Sequence, residues 1–304
     1  MTRMAEGRKE HSNPLHGLRA LTSRELTKWF KNPIVFILTV SQPVIWLGLL
    51  GKGLNISGLF SVKSLPYLSL TPPATQQQFL QISAYFTSLQ SHVMTSYFGV
   101  TDYFSYLACS LIIFLTLMAT TYSSMSVVLD RRFGFIDKLL TTSVSKTTFV
   151  MGKIVSGALR ALVQAIILLG IAFLFGITIG TNFRPYTLLG AVAIIFIFGM
   201  GMSSIFVAVS LRSTRMETQS AFINFVNIPL VFASNAFFPA SLMPNWLQTI
   251  VNVNPTTYAI DAVRTFLINR GGLSKVTVDF AYVGTFALIT IILSVVLAWR
   301  YLNK

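Results

Sequence analysis

The chain is predicted to be an all-α membrane protein with six transmembrane helices, and three observations predict it. Of its 304 residues, 53% are hydrophobic and 11% charged, with a mean hydropathy of +0.68, whereas soluble domains carry about 25% charged residues. Six apolar segments approach the roughly 20 residues that a helix needs to cross a bilayer. The basic residues then sort unevenly to the two sides of those segments. To this frame the sequence adds an N-terminal amphipathic interfacial helix, a short cytoplasmic helix between spans 2 and 3, and outer re-entrant helices between spans 5 and 6.

Residues 1–32 read as a cytoplasmic N-terminus and 33–304 as the transmembrane domain. Leu15, Leu18, Thr22, Leu26, Trp29 and Phe30 fall near one helical face, with Arg19, Arg24, Lys28 and Lys31 toward the headgroups, the pattern of a helix lying on the inner leaflet. No small-residue cleavage site follows the first apolar run, so that span is expected to stay as an anchor. The spans cover 33–50, 104–129, 154–179, 187–211, 220–238 and 280–299. Gln42-Pro43 interrupts the first; Asn224, Asn227 and Pro229 interrupt the fifth. Amides and proline are tolerated in a span where neighbouring helices satisfy the freed groups, so both spans are expected to face protein.

The loop 51–102 is rich in Ser, Thr, Gln and Tyr. Within it Phe79, Ile82, Phe86, Leu89 and Val93 recur at helical spacing, predicting an amphipathic helix on the outer face. Asn55-Ile56-Ser57 matches a glycosylation sequon. Residues 246–268 are long enough for a seventh span, the main competing topology, but contain Asn252, Asn254, Pro255, Asp261 and Arg264. One central charge costs about 2.5–3.5 kcal/mol on insertion scales. The segment is read instead as two short outer helices broken at Pro244 and Pro255.

With the N-terminus inside, sixteen Lys and Arg fall on the cytoplasmic side and six outside, with Arg160 inside a span. Both termini are therefore placed in the cytoplasm of a multi-pass protein of the cell membrane. The net charge of +14 sits in short clusters beside apolar stretches. That distribution points to membrane lipid, not nucleic acid, as the partner.

Enzymatic chemistry finds no support. His11, His16 and His92 lie on opposite sides of the membrane, so no metal is expected, and Cys109 is alone within an apolar stretch. No paired carboxylates offer acid–base work, and no Gly-x-x-x-x-Gly-Lys-Ser/Thr loop holds a nucleotide. If the chain does energy-coupled work, the energy comes from a partner. The segment 130–153 then gains interest, because Phe133, Ile136, Leu139 and Leu140 form an apolar stripe rimmed by Arg131, Arg132, Asp137 and Lys138. Such a ridge suits docking into a groove of another protein or lying on the headgroups, and the residues alone do not choose. Arg160 either snorkels to the inner interface, or pairs inside the protein or lines a cavity. Asp261 and Arg264, three apart, form a local ion pair of structural use or a substrate contact. Gly176, Gly180, Gly199 and Gly201 would allow close helix approach.

Three features resemble the membrane subunits of ABC-2 type exporters, the group that includes the daunorubicin-resistance permeases. One is Arg132-Phe-Gly-Phe-Ile-Asp-Lys-Leu-Leu140 followed by Val144-Ser145-Lys146 and Gly152-Lys153. Another is Phe238-Pro239 through Met243-Pro244-Asn-Trp, Asn254-Pro255-Thr-Thr-Tyr258 and Asp261-Ala-Val-Arg264. The last is the six-span order behind an amphipathic helix. Ser143 stands where the family usually has proline, and Lys146 where arginine is commoner.

The resemblance implies a permease that pairs with a second permease subunit, as a homodimer, and with two separate ABC ATPase subunits. No cofactor is expected in this chain; ATP and magnesium belong to those partners. The loop between spans 2 and 3 becomes a coupling helix that docks on the ATPase through Arg132, Phe133, Phe135, Asp137, Leu139 and Leu140. Pro239, Pro244, Asn254, Pro255, Asp261 and Arg264 fall in the outer gate. Gln42, Asn224 and Asn227 are candidate lining residues of the translocation route. The implied substrate is an amphiphile: a drug, a lipid or a lipid-linked glycan. A passive channel or a membrane scaffold without ATPase coupling is the alternative.

Overall fold

The computed structural model describes residues 14–53, 76–142, 144–180, 183–268 and 273–301. Among them every regular element is a helix: α1 (Pro14–Phe30), α2 (Pro33–Trp46), α3 (Gln76–Val93), α4 (Tyr103–Arg132), α5 (Phe135–Leu140), α6 (Lys146–Leu174), α7 (Pro185–Ser210), α8 (Met216–Phe232), α9 (Asn245–Val253), α10 (Pro255–Ile268) and α11 (Leu273–Tyr301). Short π-helical turns, Leu47–Gly53 and Met94–Phe98, extend α2 and α3. The sequon at 55–57 and Ser143 lie outside the described residues, as do the side chains of Phe79 and Leu140.

Among the described residues five stretches are helical, long and apolar enough to cross a membrane: Pro33–Gly53, Leu80–Arg132, Lys146–Leu174, Pro185–Ser210 and Ser274–Tyr301. The fifth expected span, 220–238, falls on α8, a 17-residue helix about 26 Å long at 1.5 Å per residue. It ends at Ala233 for a specific reason. The Asn254 side chain donates from Nδ2 to the carbonyls of Leu230 (2.8 Å) and Ala233 (2.6 Å), capping α8, while its Oδ1 accepts from the Thr256 N–H (2.9 Å) at the start of α10. The segment 246–268 is not one continuous helix. It divides into α9 after Pro244 and α10 from Pro255, and neither reaches spanning length.

The centre is α4, buried on nearly every side and packed against α6, α7 and α10. Its small hydroxyls satisfy themselves on carbonyls one turn back, as Ser110 does on Tyr106 (3.0 Å) and Thr116 on Ile112 (3.0 Å), so neighbours can approach closely. At Gly157 of α6 an added Cβ would lie 2.3 Å from Ser123 Oγ and 2.6 Å from Ser203 Oγ. Gly201 does the same service against Phe286 of α11, and Gly199 against Ala158. Gly176 differs from the expectation: with φ +84° it ends α6 in the left-handed region and packs against nothing.

One end of this bundle carries Arg131, Arg132, Lys146, Arg212, Arg215 and Arg300 together with α1; it is called the basic end below. There a satellite apolar cluster joins Val127, Phe149, Val150, Val207, Leu211 and Ala298 to Ile136 and Leu139 of α5. On the single chain most of the first span, α2, is exposed, with Thr39 and Pro43 its buried residues. Pro43 lies inside α2, which runs on into the π turn, with the Leu47 N–H reaching the carbonyls of Pro43 and Val44.

Candidate functional site

At the basic end, α1 does not merely lie beside the bundle. Leu15 and Phe30 of its expected apolar face are exposed, and the side turned inward runs through Thr22, Glu25 and Trp29. Its close approach to α6 depends on Gly152, where an added Cβ would meet Leu21 Cβ at 3.0 Å.

Glu25 is 3% exposed and sits in a cluster of charges. Its carboxylate lies 3.0 Å from Lys153 Nζ of α6, 3.1 Å from Lys28 and 3.3 Å from Arg24, and accepts from Ser126 Oγ of α4 at 2.7 Å. Lys153 is 2% exposed and donates to Asp130 as well as to Ser126. Arg24 and Lys28 reach Asp130 at 3.5 Å. Two carboxylates and three cations from α1, α4 and α6 thus form one network. Burial on its own would raise the Glu25 carboxyl, but the Lys153 ammonium, the Ser126 hydroxyl and Lys28 outweigh it and hold the group down at about 2.

The same network reaches α5. The Arg24 guanidinium lies 3.7 Å over the Phe135 ring, so the short helix, α1 and the ends of α4 and α6 are tied together. Gly134, at φ +68°, makes the sharp turn between α4 and α5. The apolar stripe of 133–140 is not a single outward ridge. Ile136 (3% exposed) and Leu139 (9%) pack inward, whereas Phe133 is 76% exposed beside exposed Arg132, Asp137 and Lys138. Period alone cannot tell which side of a ridge faces the bundle, and here the satellite core claims Ile136 and Leu139. Arg160 does not snorkel. It is buried, donating from Nη2 to Ser123 Oγ (3.2 Å) and from Nε to the Ser156 carbonyl (3.3 Å).

Toward the opposite end, α2, α4 and α8 enclose a cavity of about 510 Å3. Trp46 and Leu50 come from α2 and its π turn; Leu111, Phe114 and Met118 come from α4. Asn224, Asn227 and Phe232 come from α8, and Phe237 and Phe238 close the end. Of the three candidate lining residues the structure brings Asn224 and Asn227 together here. Gln42 is exposed one turn short of Trp46 and does not line the cavity.

The gate candidates are spread over distinct structural positions. Arg264 is fully buried. Its Nη2 donates to Ser110 Oγ (2.5 Å) and to the carbonyls of Asn235 (3.0 Å), Ala236 (3.2 Å) and Tyr106 (3.4 Å), and the guanidinium lies 3.4 Å over the Tyr106 ring. The expected pair with Asp261 is present at 3.7 Å. Asp261 also accepts from Asn235 Nδ2 (2.6 Å) and Lys275 (2.7 Å). Arg264 therefore knits α10 to α4 and to the turn after α8. Pro239 and Pro244 flank the short 3-10 turn Ala240–Leu242, and Asn254-Pro255 is the hinge between α9 and α10. No group of three or more His, Cys, Asp or Glu among the described residues is placed to hold a metal ion.

The family model described as ABC-2 type transporter matches residues 16–268. The chain is similar to a protein of Pyropia yezoensis described as a transport permease, ycf38, being 25% identical over 248 residues, 81% of this chain and 72% of that relative. It is also similar to the daunorubicin resistance ABC transporter permease protein DrrB1 of Streptomyces coeruleorubidus. That relative is 28% identical over 155 residues, 51% of this chain and 54% of its own length. The chain thus spans about half of the drug-resistance relative.

Proposed function

The chain belongs to the ABC-2 type transporter family, and we propose that it is the membrane-spanning permease subunit of an ATP-driven exporter powered by separate ATPase subunits. The observation that carries the energy-coupled reading is α5. This short helix is anchored on one side by buried Ile136 and Leu139 and by Arg24 on Phe135, and offers Phe133 bare on the other. A large exposed aromatic rimmed by Arg132, Asp137 and Lys138 suits contact with another protein. Leu139, turned inward, passes partner movement to the spans instead of touching the partner; nothing is assigned to the Leu140 side chain.

Two ATPase subunits, holding ATP and magnesium, dock on two copies of this chain in a homodimer. The substrate is an amphiphile, a drug, lipid or lipid-linked glycan, and the cavity between α2, α4 and α8 lies on its route. The segment Pro239 to Arg264 forms the outer gate, with Asp261 and Arg264 holding its base. Residues 1–32 form the cytoplasmic N-terminal part and 33–304 the transmembrane domain.

Replacing Phe133 by Asp is expected to reduce ATP-dependent transport at least tenfold while leaving the fold intact, because the side chain is 76% exposed. Transport into inverted vesicles measures this, and unchanged transport would remove α5 from the coupling path. The basic end is placed in the cytoplasm of a cell-membrane protein. Accordingly, Ser274→Cys in a Cys109→Ala background is expected to react with a membrane-impermeant maleimide on intact cells. Ser274 is exposed and Cys109 fully buried, so labelling reports the position of Ser274 directly. Reaction only after permeabilisation would invert the assignment.

A further inference from the structure

The outer helix α9 has little packing of its own. Of its nine residues Val251 is the buried one, while Trp246, Ile250 and Val253 are exposed. A helix this short is marginal in isolation, and its last carbonyls have no partner within the helix. Its seat therefore depends on what its neighbours supply.

Two phenols supply it at the C-terminal end. The Tyr258 hydroxyl of α10 donates to the Asn252 carbonyl (2.6 Å), and the Tyr282 hydroxyl of α11 donates to the Val253 carbonyl (2.6 Å). The two rings stack, with centroids 3.9 Å apart and planes 19° apart, so the hydroxyls meet consecutive carbonyls side by side. Tyr258 lies just past the Asn254-Pro255 hinge, on the helix that continues from α9, whereas Tyr282 belongs to the last span. One phenol holds α9 to its own continuation and the other holds it to α11.

The far end of α11 is also anchored. This helix runs unbroken for 29 residues, about 43 Å at 1.5 Å per residue. Its fully buried Ala298 joins the satellite cluster that includes Ile136 and Leu139 of α5, and Trp299 Nε1 donates to Thr147 Oγ1 of α6 (3.1 Å). A single element thus meets the α5 cluster at the basic end and α9 at the opposite end.

We propose that Tyr258 and Tyr282 are positioning residues of the outer segment: the stacked pair seats α9, and through Tyr282 the last span sets where α9 lies. The proposal rests on the reading of Pro239 to Arg264 as the outer gate, and it names what holds that gate in place.

The test is hydrogen–deuterium exchange, read by mass spectrometry, on the full chain in phosphatidylcholine nanodiscs, comparing residues 245–253 with a peptide from α4. The double variant Tyr258→Phe, Tyr282→Phe keeps both rings and removes only the hydroxyls. Exchange in 245–253 is expected to rise roughly tenfold or more, as the loss of two neutral hydrogen bonds implies, with α4 and the unfolding temperature unchanged. Ala298→Leu overfills the cluster at the other end of α11. It is expected to change exchange in 245–253 by about threefold or more with both tyrosines present, and to leave it unmoved in the double variant. Unchanged exchange in the double variant overturns the seating of α9. An equal rise in α4 overturns the positioning role in favour of a general loss of stability. An Ala298→Leu effect that is absent, or the same in both backgrounds, overturns the part given to α11. The gate reading fails separately, if the native complex with its ATPase exchanges equally in 245–253 without nucleotide and with ATP and vanadate.

Discussion

Replacing Lys153 by Met is expected to destabilise the protein by about 3–5 kcal/mol, the cost of removing one partner from a buried ion network. Lys153 lies between Glu25 and Asp130. Without it those carboxylates keep Arg24 and Lys28, which are 33% and 46% exposed and screened by solvent. The helix α1 should then lift from α6. A thermal-unfolding shift measures the first effect. The second is read from a cysteine at Thr22, which is buried in the native chain and should become reactive. The neutral triple variant Glu25→Gln, Asp130→Asn, Lys153→Met should recover much of the loss, because no uncompensated charge remains. A Lys153→Met protein with unchanged unfolding temperature and a silent cysteine at Thr22 would show that the network holds nothing.

Arg264→Leu carries the other large effect, again about 3–5 kcal/mol. The substitution strips the guanidinium from Ser110 and from the carbonyls of Asn235 and Ala236, all of them on buried residues. It also removes the contact with the Tyr106 ring. Arg264→Lys should rescue little, since a single ammonium cannot span the same planar set of acceptors. Expression level and thermal unfolding of the purified variants test this. Native-like stability of both variants would contradict the role of Arg264 in joining α10 to α4 and the turn after α8.

The helices were legible because span length and apolar composition are set by the bilayer itself. Pro244 and Pro255 were legible as breaks because proline acts locally; the cap that Asn254 places on α8 was not, because it reaches carbonyls more than twenty residues away. Amides within a span drew attention to Asn224 and Asn227, which line the cavity, and to Gln42, which is exposed on α2 outside it. Glu25 was not legible. It interrupts the expected apolar face of α1, and only the docking of that helix on α4 and α6 shows that Lys153 and Asp130 compensate it. A signal did exist, in that an acid on the inward side of an otherwise basic helix needs a cation opposite. Nor could the stripe at 133–140 reveal that Ile136 and Leu139 turn inward, since a helical period defines a face but not its neighbour. Gly157 had a weaker signal, the run Ser156-Gly157-Ala158, whose small side chains permit the contact with Ser123 and Ser203.

The central claim is that this permease works through an ATPase held at the basic end. Purification of the chain from its native membranes in mild detergent, with mass spectrometry of what accompanies it, tests that claim most directly. An ATP-binding subunit recovered in equimolar amount with the chain, and lost from the Phe133→Asp variant, is the predicted result. A chain that purifies without an ATP-binding partner and still transports when reconstituted alone would contradict it.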